Sequence, residues 1–350
     1  MSQQEERRLQ LTGGSTYIVS LPKWWINSTG LRKGDVVMLI PQPGGGLLVS
    51  PISGAYKERR IGVLEAAPLE EHDDVVRKFL AMYLAGYDAI EVRFKGEMVE
   101  LRSYLKGVIR RKLIGVEVIE ESQDSMVARC LLRYSELPLK SIIERMRILS
   151  SLMMQDALRA IIEGDLSLAQ DVASRDDDID RLYFLSIRQL KAATSNPAVA
   201  GEIGLRSLRE ALGYRLISKS LERIADHATS MAQVSPLIGK FPQQLSGELS
   251  EFGAISLNVV EDAVRALVSM DERTALRAIS LAQDVVKYEE RLTKEVFDLG
   301  ATAIVVAGIK LMLESVRRIA EYGSDIAEVV INMISDRSME EPSGNRFTPM

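Results

Sequence analysis

The spacing of apolar residues changes character twice along the 350-residue chain. From Arg7 to Ser50 the apolar positions fall in short β-prone runs broken by glycine. Arg7–Thr12 and Ser15–Ser20 flank Gly13-Gly14, a hairpin signal. Pro22 suits the first turn of a short helix, and Gly30 suits its left-handed cap. Lys33-Gly34-Asp35 turns into a strand over Val36–Ile40, and Gly44-Gly45-Gly46 leads to another over Leu47–Ser50. A unit of fewer than about 50 residues encloses little core, so a second copy is expected to complete it.

From 59 to 134 strands and helices alternate. Ile61–Glu65, Ala89–Phe94, Val116–Glu120 and Val127–Leu132 read as strands. One helix ends at Gly86. A second, Glu97–Leu113, puts Leu101, Leu105, Val108 and Ile109 on one side and Arg102, Lys106 and Arg110 on another. The order is β-α-β-α-β-β, and the basic stripe reads first as a solvated helix face.

Beyond residue 137 the period becomes helical. Six amphipathic segments are predicted, over 137–163, 165–193, 203–233, 243–270, 272–298 and 301–336. Asp165 and Asp271 stand where N-caps belong. Leu168-Ala-Gln-Asp-Val172 recurs as Leu281-Ala-Gln-Asp-Val285, and Leu221-Glu-Arg-Ile-Ala-Asp226 is echoed by Val316-Arg-Arg-Ile-Ala-Glu321. The repeat places two three-helix bundles in tandem. The fold class is therefore multidomain α+β, with domains expected over 1–55, 56–136, 137–236 and 237–336 and a loose tail over 337–350.

Charge sharpens this division. Residues 1–60 hold eight basic and four acidic groups, a local +4, against a net −5 for the whole chain. A basic module on an acidic body points to an anionic partner for the module. The adjacent Trp24 and Trp25 lie in that module beside Lys23. Helix geometry makes one of them a core residue and sets the other at a rim or a dimer contact. The single cysteine, Cys130, fits a reducing compartment and packing within an apolar run. No signal core and no membrane-length apolar run is present, so a cytoplasmic chain without membrane insertion is expected.

The chemistry-bearing candidates are carboxylates. Asp176 and Asp180 are four apart, as are Glu222 and Asp226, so each pair shares a helix face. If the two helices pack side by side, four carboxylates converge. That arrangement needs a cation, and oxygen donors suit divalent or ferric ions. Spacing alone leaves open that these are solvated helix surfaces paired with neighbouring arginines. With two histidines, no nucleophile–base arrangement and no phosphate loop, an enzyme is not expected.

The stretches Asp165-Leu-Ser-Leu-Ala, Asp176-Asp-Asp-Ile-Asp180 and Leu221-Glu-Arg-Ile-Ala-Asp-His-Ala228, with their second set around Val285–Glu295 and Arg317–Asp325, resemble the PhoU family. Gly13-Gly14-Ser-Thr-Tyr-Ile-Val-Ser-Leu-Pro-Lys-Trp24, followed by Gly30-Leu-Arg-Lys-Gly-Asp35, resembles the SpoVT/AbrB swapped-hairpin DNA-binding domain. The whole chain is similar to archaeal-type phosphate uptake regulators that join the two. The resemblance implies negative regulation of phosphate uptake and homeostasis, with DNA as a partner, a homodimer, and a phosphate-transporter ATPase or other signalling protein as a further partner. The alternative is an adaptor that acts on a transporter or signalling complex without touching DNA.

The resemblance also implies a metal ion (iron, zinc or another divalent ion) on Asp176, Asp180, Glu222 and Asp226. Glu289, Glu321 and Asp325 are weaker candidates. Thr293 and Arg317 replace acids in the second repeat, and a salt bridge through Arg317 is expected there instead. The DNA-facing groups are taken as Arg7, Arg8, Lys23, Arg32 and Lys33.

Overall fold

The computed structural model describes residues 5–41, 45–51 and 60–340. Gly44 of the expected turn, the charged Lys57, Glu58 and Arg59, and the tail from 341 on lie outside the described residues. The chain divides into two compact units between Arg60 and Ile61.

The first unit holds two antiparallel ribbons and one short helix. Strands β1 (Gln10–Thr12) and β2 (Thr16–Ile18) pair with Thr12 opposite Thr16. Gly13 and Gly14, at φ of 63° and 83°, make the turn in a region closed to most side chains. Helix α1 (Lys23–Thr29) begins after Pro22, which is the cap rather than a first-turn residue, and ends at left-handed Gly30. Strands β3 (Val37–Pro41) and β4 (Leu47–Pro51) form the second ribbon. None of the described residues of this unit is buried. The expectation of one core tryptophan is therefore corrected: Trp25 is half-buried, and Trp24 is 43% exposed. A ribbon-and-helix unit this small has no second layer to cover either ring.

The second unit opens with a four-stranded sheet. Strands β5 (Ile61–Ala66), β6 (Ala89–Phe94), β7 (Val116–Glu121) and β8 (Ser125–Cys130) stand in the order β5-β6-β8-β7. β5 and β6 are parallel, joined by α2 (His72–Ala85), and the remaining pairings are antiparallel. The β-α-β-α-β-β order is as the sequence predicts. Leu64, Val92, Phe94 and Met126 meet Phe79 of α2 and Leu101 and Leu105 of α3 (Val99–Lys112) in one apolar core. Cys130 is half-exposed and packs against its edge.

The basic stripe on α3 is not free. Arg102 donates to the Gln123 carbonyl and lies over the Phe94 ring, while Lys106 bridges Glu121 at 2.8 Å. These contacts clamp α3 onto the β7–β8 hairpin.

The rest is helical: α4 (Leu139–Glu163), α5 (Leu166–Ser174), α6 (Asp176–Ser195), α7 (Pro197–Glu202), α8 (Glu210–Ile238), α9 (Ser246–Ser269), α10 (Glu272–Asp298) and α11 (Ala303–Glu340). Asp165 and Asp271 cap α5 and α10 through their carboxylates, as predicted. The segment predicted as one helix over 165–193 is two. The break falls at Arg175, where three aspartates crowd the first turn of α6. Acids favour a helix N-terminus, so they support a new start there. Helices α4, α5, α6 and α8 form one group and α9, α10 and α11 the other. α8 packs along α11 and α4 packs against α9, so one apolar core runs through both groups. A Cβ at Gly323 of α11 would lie 3.0 Å from the Val260 backbone nitrogen, so glycine there permits the close approach to α9.

Arg188 of α6, 1% exposed, joins this body to the sheet layer. It donates to the Tyr83 carbonyl, lies 4.8 Å from the Tyr83 ring and is 4.0 Å from Asp88.

Candidate functional site

The four first-repeat acids sit where α6 packs on α8. Asp176 opens α6 and accepts a hydrogen bond from Thr229 Oγ1 of α8 at 3.3 Å. Burial pushes the Asp226 carboxyl up to about 6, and the neighbouring Glu222 and Asp176 charges push the same way. Asp176 is also raised, by burial and then by Asp180. The carboxylates of α6 and α8 thus act on Asp176 and Asp226 across the helix pair. The outer two already have cations. Lys112, from the last turn of α3, lies 2.8 Å from Asp180 and 3.5 Å from Asp177. Lys219 lies 2.6 Å from Glu222 Oε1. Arg223 stays farther off, 3.8 Å from Asp226.

The second repeat is closed. Glu289, 7% exposed, is held by Lys310 and by Arg317 Nε at 2.7 Å. Arg317 also binds Glu321, which takes Arg318 Nη1 at 2.6 Å. The salt bridge expected through Arg317 is present. Asp325 remains apart, its carboxyl raised by burial and by Glu328 and Glu321.

Among the described residues, no three Asp, Glu, His or Cys side chains gather in a metal-holding group. The donor chemistry nevertheless differs between the repeats. The first holds half-buried acids, Asp176 and Asp226, whose ionisation is opposed by burial and by neighbouring carboxylates, and a hard cation suits such a set. In the second, guanidinium and ammonium groups already neutralise the acids, and this set does not fit a metal.

Lys112 was missed in the sequence. The basic last turn of α3 was visible, but its partner Asp180 stands 68 positions away. Only the packing of α3 on α6 joins them.

In the first unit the five candidate basic residues are all exposed. Glu5 ties Arg7 to the Trp24 indole, next to Lys23. Asp35 accepts from the Arg32 backbone nitrogen at 2.7 Å and closes the turn that carries Arg32 and Lys33 outward. Arg7 is thereby partly neutralised, while Arg8, Lys23, Arg32 and Lys33 have no acidic partner among the described residues.

The PhoU domain matches residues 143–235 and 249–330, the first spanning most of α4 to α8 and the second α9 to α11, together half of the chain. The chain belongs to the PhoU family. Residues 10–57 match a second family, antidote-toxin recognition MazE, a bacterial antitoxin. The PhoU body is similar to the phosphate-specific transport system accessory protein PhoU homolog 1 of Thermotoga maritima, 24% identical over 209 residues, covering 58% of this chain and 88% of that protein. It is also similar to the PhoU homolog of Xylella fastidiosa strain 9a5c, 26% identical over 207 residues, covering 57% and 84%. Among solved structures, PhoU from Pseudomonas aeruginosa aligns with a TM-score of 0.48 at 23% identity, covering 57% of this chain and 96% of that one. PhoU from Streptococcus pneumoniae aligns at 0.49 and 18% identity, covering 56% and 92%. No helix among the described residues is long and apolar enough to cross a membrane.

Proposed function

We propose that this PhoU-family chain is a cytoplasmic, homodimeric, DNA-binding regulator of phosphate uptake and homeostasis. The observation that carries the reading is the state of the first unit. None of its described residues is buried, it exposes Leu9, Leu11, Tyr17, Val36, Leu39 and Leu47, and it presents Arg8, Lys23, Arg32 and Lys33 with no acidic partner among the described residues. A second copy of the unit covers the apolar residues, and duplex phosphates complement the charge. The match to the MazE family over the same residues supports both.

The helical body is read as scaffold and sensor, with no catalytic step. Asp176, Asp180, Glu222 and Asp226 would hold an iron, zinc or other divalent ion, which would neutralise acids that otherwise repel. Lys112 and Lys219 then act as competing counter-ions for Asp180 and Glu222. The names of the relatives, transport-system accessory proteins, favour a second reading. In it the chain is an adaptor for a phosphate-transporter ATPase or other signalling protein, and the first unit serves dimerisation alone.

Fluorescence anisotropy with duplex DNA across a salt series separates the readings. The parent is expected to bind more weakly as salt rises, with a log–log slope of about −0.9 per phosphate contact. Arg32→Ala with Lys33→Ala is expected to weaken binding to every sequence and flatten that slope by about two contacts. A parent that ignores DNA at low salt leaves only the adaptor.

A further inference from the structure

A groove of about 680 Å3 lies between the first turns of α4 and the C-terminal half of α9. It shares no residue with the acid sites or with the first unit. Its charges are unevenly satisfied. Arg147 takes both carboxylates in the groove, with Nη2 2.7 Å from Glu144 and Nη1 3.2 Å from Glu261. Arg265 is held by Asp262 at 3.0 Å. Lys140 and Arg145, both exposed, have no acidic partner among the described residues. They stand near the N-terminus of the 25-residue α4, whose dipole adds positive potential at that end. The α9 wall sets Val264, which is buried, and Val268, which is 71% exposed, beside the paired Glu261 and Arg265. Tyr214 lines a narrow cleft that continues the groove past Lys140 and Val268.

We propose that this groove binds a phosphate monoester with an apolar or aromatic body, of the nucleoside monophosphate class. Two unpaired cations match the roughly −1.5 to −2 charge of a phosphate monoester at neutral pH. The volume lies within the usual range for small-molecule sites, roughly 300–1,000 Å3. The phosphate sits on Lys140 and Arg145, and the body lies against Val264 and Val268. Bare inorganic phosphate makes only the first set of contacts. The inference does not depend on DNA binding by the first unit.

Isothermal titration of the full chain with AMP and with inorganic phosphate tests it. AMP is expected to bind, and inorganic phosphate to bind at least about tenfold more weakly. Lys140→Gln and Arg145→Gln are each expected to cost about tenfold in AMP affinity, because each removes one charged contact. Both side chains are exposed, so unchanged melting temperatures certify the fold. Arg159→Gln, farther along α4, leaves AMP affinity intact. Absence of AMP binding overturns the proposal, as does AMP affinity unchanged in the double variant that joins Lys140→Gln and Arg145→Gln. Equal affinity for AMP and inorganic phosphate overturns the role of the valine wall. If the groove instead takes backbone phosphates of DNA, AMP fails to bind while the double variant loses DNA affinity, and the proposal falls.

Discussion

The two acid sites of the helical body descend from one repeated pattern and end in opposite states. On α6 and α8, Asp226 is pushed up to about 6 with its nearest guanidinium 3.8 Å away. On α10 and α11, Glu289 is buried deeper but holds two cations, one of them Arg317. A single guanidinium in place of the first acid of the motif converts mutual repulsion into an ion-pair network. Burial alone therefore does not mark a group for ligand binding; the mismatch between burial and compensation does.

The largest test breaks the closed site. Arg317→Ala removes a partner from Glu289 and from Glu321. It is expected to destabilise the protein by about 3 kcal/mol, since a deeply placed carboxylate loses its counter-charge. Denaturant unfolding measures this. A loss no larger than an exposed pair gives, under about 1 kcal/mol, would show that Lys310 alone suffices at Glu289.

The next test loads the open site. Zinc or iron added at a hundredfold excess over its dissociation constant is expected to stabilise the parent by about 2.7 kcal/mol. Asp226→Asn should abolish the thermal shift, and Glu321→Gln should leave most of it. Elemental analysis of the purified protein accompanies the melts. No metal and no shift in the parent would leave the first-repeat acids as a purely electrostatic feature.

The smallest effect is a pH dependence without metal. The folded pKa of Asp226 lies above the unfolded value of about 3.9, so protonation favours the folded state. Its contribution is complete below about pH 4 and is lost as pH rises through about 6. Asp226→Asn keeps a neutral group at every pH. The variant should melt a few degrees above the parent at pH 7–8, a gap that closes toward pH 4. The group is only half-buried, which keeps the effect small. A gap that is constant with pH would mean that Asp226 does not titrate as its surroundings imply.

Much of this molecule was decided by the sequence alone. The β-α-β-α-β-β order and the caps Asp165 and Asp271 follow from periods and spacings of a few residues, while the Arg317 salt bridge is expected from the resemblance to the PhoU motif. Such features are local, because hydrogen-bonded turns and i,i+4 faces are set within a handful of positions. Tertiary structure decided the rest. The counter-ion Lys112 on Asp180, the buried strut Arg188 and the groove that carries Lys140 and Arg145 join positions that are far apart in sequence or depend on which helix packs beside which. The exposure of Trp24 and the half-burial of Trp25 have the same origin, since burial is a property of what lies across the interface. A charge pattern names the candidates for pairing, and only packing decides which charges meet and which are left for a ligand.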